Sequence, residues 1–198
     1  MKITFNSPVI LGFSFLCVVV FVLTQYLNTG MNWFTLPASF DFSNWTYYPR
    51  LFTYVLGHAN ADHLIGNLSF ILLLGPIIEE KYGAKHIMIM LFTTALVTAV
   101  FHILFFKNGL VGASGIVFCF IVLVSLVNFK NNELPLTFIL VAIIFIGKEL
   151  IYLFSDDNIS QFAHIIGGCI GAFFGFKLKS KGRSSKTSSG RDILKGLK

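Results

Sequence analysis

The segment QFAHIIGGCIGAFFG, Gln161 to Gly175, places a small residue at every fourth position: Ala163, Gly167, Gly171 and Gly175. On an α-helix these four share one face, and a face without bulky side chains lets a second helix come close. Apart from Gln161, the one polar side chain in the segment is His164. It lies one position along from the stripe and therefore beside that contact. Packing through small residues is the habit of helices in lipid, where no hydrophobic drive pushes one helix onto another.

The rest of the chain agrees. Its 198 residues are 55% hydrophobic and only 12% charged, with a mean hydropathy of +0.77, too apolar for a water-soluble domain of this size. Six apolar segments come close to the roughly 20 residues that cross a bilayer as a helix. They run Pro8 to Leu27, His63 to Ile78, His86 to Phe106, Ser114 to Phe129, Leu134 to Phe154 and Ile159 to Phe176, the second and fourth looking short for a full span. The first resembles a signal peptide in having Lys2 before it, but it is long enough to span and no small-x-small cleavage site follows. The expectation is an all-α polytopic membrane protein, a bundle of six transmembrane helices forming one domain over residues 1–177.

Eight of the fifteen Lys and Arg residues fall between Lys177 and Lys198. This Ser- and Gly-rich stretch has no core-forming period, so residues 178–198 read as a basic, disordered tail. With six spans, Lys2, Lys81, Lys85, Lys130 and the tail share one side, twelve cations against Arg50 and Lys107 on the other. That asymmetry predicts cytoplasmic termini. The basic charge is therefore topological, with anionic lipid a secondary partner and no nucleic acid implied.

The first outer loop carries nine aromatic residues between Trp33 and Tyr54. Two readings stand: a segment lying in the headgroup layer, where amphipathic rings settle, or an aromatic plug packed on the helix bundle. Cys17, Cys119 and Cys169 are far apart within apolar runs and read as buried, inert thiols.

Ionisable and polar groups within spans are costly, so the few that occur point to a site. Ser114 begins the fourth segment between Gly112 and Gly115, which allow a tight turn and a close backbone approach. Ser114 and His164 fall at the same depth on the outer side. In GHANADHLIGN, His63 and Asn67 are spaced i, i+4 on one helix face at that same end, with His58 just before them. Imidazole and carboxamide groups can donate to a developing oxyanion, or equally can tie the outer loop to the bundle. No H-E-x-x-H string occurs, and Glu79 and Glu80 lie at the opposite end, so no metal and no cofactor are expected. His86 and His102 read as structural. Lys148 and Glu149, just inside the fifth segment, read as a snorkelling or locally paired couple, a gating role being the minority alternative.

Together these motifs resemble the rhomboid intramembrane serine proteases, from the first span to Phe176. The family's G-x-S-G appears as Gly112 to Gly115, its A-H-x-x-G-x-x-x-G as Ala163, His164, Gly167 and Gly171, and its H-x-x-x-N as His63 and Asn67. Glu79 to Gly83, EEKYG, is similar to the turn after the family's second span, and Arg50 takes the arginine position of the outer-loop motif. The resemblance implies Ser114 as nucleophile and His164 as general base, without a carboxylate. It implies an oxyanion hole of the Ser114 backbone N–H with His63 and Asn67, supported by Gly112, Gly115, His58 and Phe118. It further implies transmembrane protein substrates, a surrounding of membrane lipid and a compact enzyme of the bacterial plasma membrane. The chain departs from the family at Pro49, where tryptophan is usual, at Phe118, where tyrosine is frequent, and at Gln161, where asparagine is frequent. The alternatives are a non-catalytic rhomboid-like protein that binds membrane-protein clients and, more weakly, a transporter or channel.

Overall fold

A computed structural model of the protein describes residues 5–127, 134–147 and 159–178. Among these the chain is helical, with a single isolated β-bridge and no strand. The principal helices are α1 (Pro8–Phe21), α2 (Ala61–Tyr82), α3 (Ala84–Phe105), α4 (Ser114–Ser125), α5 (Leu136–Val141) and α6 (Ile159–Lys177). α1 continues through a π-helical turn, Val22–Tyr26, and α5 through another, Ala142–Ile146. Among the described residues, three helical stretches are long and apolar enough to cross a membrane: Pro8–Tyr26, α2 and α3. Large apolar side chains such as Phe15, Leu73 and Leu104 are 67%, 65% and 69% exposed. A belt of this kind is stable facing lipid and is a liability in water.

The helix ends follow from local chemistry. Pro8 opens α1, where its missing N–H costs nothing. The amides of Val9 and Ile10 then donate to the Glu79 carboxylate at 3.1 and 3.0 Å. A buried acid on α2 thus caps a different helix, and its charge complements the positive end of the α1 dipole. Asn60 caps α2, its side-chain oxygen accepting from the His63 amide at 2.8 Å. Gly83, with φ of +86°, ends α2 and starts α3, a left-handed turn that glycine makes without strain.

Those ends correct one expectation. The second helix is not short: it runs 22 residues and includes the charged Glu79, Glu80 and Lys81 in its last turn. These charges stay helical because two of them have internal work, Glu79 on α1 and Lys81 donating to the Val127 carbonyl. The fourth helix is short, 12 residues, and ends at Ser125 rather than Phe129. The fifth expected span falls partly outside the described residues, as do Lys148, Glu149 and the tail from residue 179.

Among the described residues, α4 and α6 form the most extensive helix contact. A methyl group built on Gly167 would sit 2.0 Å from the Gly115 carbonyl oxygen, and one on Gly171 would sit 2.3 Å from that of Cys119. The two backbones are therefore as close as glycine alone permits. Cys17 and Cys119 are buried, but Cys169 is exposed. It lies between Gly167 and Gly171 in sequence and so on the opposite side of α6 from the stripe.

Candidate active site

Ser114 occupies the first position of α4, so its own N–H has no intrahelical acceptor and points out of the helix end. The turn before it is fixed from outside. Gly112 adopts φ of +117°, and its amide donates to the Tyr54 carbonyl at 3.0 Å. Leu36 and Leu110 exchange main-chain hydrogen bonds of 2.9 and 3.1 Å, and the Cα of Gly57 is pressed between Phe34 and Val111. The outer loop thus clamps the approach to Ser114 at three places.

The loop divides into an exposed part and a part packed on the bundle. Phe42 and Trp45 are 71% and 70% exposed, whereas Tyr54, Val55, Gly57 and His58 are buried. Tyr54 reaches α3 and donates its hydroxyl to the Ala95 carbonyl at 3.2 Å. Arg50 is held between rings, its guanidinium 4.7 Å from the centre of Tyr47 and 5.8 Å from that of Trp33. With Pro49 beside it in sequence, Arg50 takes an aromatic face from Trp33, far back along the loop.

His63 lies directly against the Ser114 turn: a methyl group on Gly112 would be 2.5 Å from His63 Cε1 and 2.7 Å from Nε2. This gives Gly112 a second reason to be glycine, since any side chain would displace the imidazole. Asn67, one turn further along α2, is 6% exposed, and its Nδ2 has no hydrogen-bond acceptor among the described residues. A buried donor left in this state costs about 1–3 kcal/mol.

His58 backs His63, with ring centroids 5.1 Å apart and planes at 67°. It is fully buried, and its Nδ1 lies 3.2 Å from the Leu56 carbonyl. A carbonyl only accepts, so Nδ1 carries the proton of the neutral ring. Burial, with His63 adding to it, pushes His58 down to about 4 and keeps it uncharged at neutral pH.

On α6, Ala163 and Gly167 rest on Gly115, which brings the half-buried His164 to the level of the half-buried Ser114. Phe118, one turn along α4 from Ser114, stacks flat on the His164 ring at 4.1 Å and 5°. The missing tyrosine hydroxyl leaves this stacking intact. Gln161 lies in the first turn of α6 and is half-buried.

A family model for the rhomboid domain matches residues 44–181. The chain belongs to the rhomboid family. It is accordingly an integral membrane protein. The match takes in the outer-loop arginine, α2 and every motif around Ser114, but begins after α1, so the first span stands outside it. A comparison with curated proteins finds no match.

His86 and His102 are each tied to a main-chain carbonyl, of Tyr82 at 2.8 Å and of Asn108 at 2.7 Å. Among the described residues no three His, Cys, Asp or Glu side chains gather closely enough to share an ion. The residues that sequence reasoning missed are Tyr54, Gly57 and the Leu36–Leu110 pair. Their signal was faint, a glycine and a tyrosine at the end of an aromatic-rich loop.

Proposed function

We propose that the chain is a six-span intramembrane serine endopeptidase that cuts single-span membrane proteins near the outer face, with its termini cytoplasmic. Ser114 Oγ attacks the scissile carbonyl carbon while His164 takes the hydroxyl proton. The negative charge that develops on the carbonyl oxygen is held by the Ser114 N–H, Asn67 Nδ2 and His63. Collapse breaks the C–N bond as His164 returns the proton to the leaving amine. Water, with His164 again as base, then releases the acid from the ester on Ser114.

The observation that carries this reading is Asn67 Nδ2, a buried amide donor without an acceptor among the described residues, on the helix face that brings His63 against the Ser114 turn. Ser7 and Ser14 also bury hydroxyls without a partner among the described residues, so the support lies in where Asn67 stands, one turn from His63, which packs against the Ser114 turn: a donor there is free to meet charge as it develops. His58 supports His63 by packing and by remaining neutral. Phe118 steadies His164, and aromatic stacking of this kind contributes about 0.5–1.5 kcal/mol.

The test is cleavage of a single-span reporter protein in proteoliposomes. The wild type should release a product that Ser114→Ala does not. Reporter binding without cleavage by a well-folded wild type would instead support a non-catalytic, client-binding rhomboid.

A further inference from the structure

Away from the Ser114 site, α1 and α3 part to leave a cavity of about 340 Å³ beneath the outer loop. One wall is Pro8, Gly12 and Leu16, a single face of α1 about 12 Å long at 1.5 Å per residue. The opposite wall is Met88 and Phe92 on α3, and Phe52 closes the upper end. Leu16, Met88 and Phe92 are 50%, 43% and 52% exposed, so the cavity opens sideways, at membrane depth, toward lipid. Water has nothing to bond there, and an unfilled apolar gap forfeits dispersion contacts along its whole lining.

The end of the cavity at Pro8 is level with the start of α3, because Glu79, four residues before Gly83, is bound to the first amides of α1. At this level Lys85 is exposed and stands three residues before Met88, on the cavity face of α3. The apolar slot thus ends on the same face of α3 as an exposed cation in the first turn of that helix.

We propose that this cavity holds one acyl chain of an anionic phospholipid from the leaflet at the N-terminal end of α1, with the lipid phosphate on Lys85. Such a lipid fills the space under Phe52 and braces the outer loop from below. The proposal is independent of proteolysis, and its test reads binding only.

The test is native mass spectrometry of the full-length detergent-purified protein, titrated with dioleoyl phosphatidylglycerol or dioleoyl phosphatidylcholine. The wild type should retain one phosphatidylglycerol, preferred about fivefold over phosphatidylcholine, as expected for a single lysine at a lipid surface. A methyl group on Gly12 meets nothing within 4 Å, so the ring in Gly12→Phe projects into the cavity and should abolish retention. Should that variant misfold, Lys85→Glu at an exposed position decides, and it should remove the preference. Equal retention of the two lipids by the wild type, or retention and preference unchanged in folded Gly12→Phe or in Lys85→Glu, would overturn the proposal.

Discussion

Replacing Gly167 by alanine tests how the proposed active site is held together. The added methyl would lie 2.0 Å from the Gly115 carbonyl oxygen, and ordinary contact begins at 3.4 Å, so α4 and α6 must part by about 1.4 Å there. The obstacle is backbone on both sides and cannot swing away. Overpacking of this kind costs about 1–3 kcal/mol of stability, which should lower the unfolding temperature in detergent without abolishing folding. The effect on chemistry is larger, because the displacement falls one residue from Ser114 and three from His164, and a misplacement of about 1 Å costs roughly 100-fold in rate. The other stripe positions grade the effect. Gly171→Ala meets the Cys119 carbonyl at 2.3 Å, a turn further from the site, and Gly175→Ala meets the movable end of Leu126 at 2.6 Å. Reporter cleavage in proteoliposomes should therefore fall most for Gly167→Ala, less for Gly171→Ala and least for Gly175→Ala. Full activity in Gly167→Ala, or equal losses at all three positions, would refute the claim that this contact sets the geometry of Ser114 and His164.

Three further variants probe separate parts of the account. Asn67→Ala removes a donor with no partner among the described residues, so turnover should drop about 100- to 1,000-fold while the unfolding temperature stays near that of the wild type. Glu79→Gln weakens the cap on α1. Because hydrogen bonds to charged groups contribute about 1.5–3 kcal/mol each, it should destabilise the fold, as thermal unfolding will read, with little direct effect on the chemistry. His58 gives a pH dependence: its value is about 4 in the fold against 6.5 ordinarily. The unfolded chain therefore binds the proton first, and stability should be full above pH 6.5 and decline as pH falls toward 4. A His58→Gln variant should lose less stability over that window than the wild type.

The residues of the candidate site could be picked out because lipid makes polar groups conspicuous. Ser114, His164, His63 and Asn67 stand out in apolar helices, and the four-residue glycine repeat announces which helix face meets another. Helix periodicity could not show that Glu79 serves α1 instead of its own helix. That contact joins residues 70 positions apart, and in sequence the acid looked like the polar end of a shorter span. The outer loop was ambiguous for a similar reason. Aromatic residues suit both a headgroup layer and a packed core, and only tertiary contacts sort exposed Trp45 from buried Tyr54. Cys169 was misjudged because an apolar neighbourhood in sequence does not distinguish a core-facing from a lipid-facing side of the same helix.

The central claim is that Ser114 is a nucleophile activated by His164. Labelling of the detergent-purified protein with a fluorophosphonate serine probe tests it most directly, comparing wild type, Ser114→Ala and His164→Ala. The account predicts labelling of the wild type that is lost in both variants. A folded wild type labelled no more than Ser114→Ala would contradict it and leave Gly112 to Gly115 as a place where two helices pack.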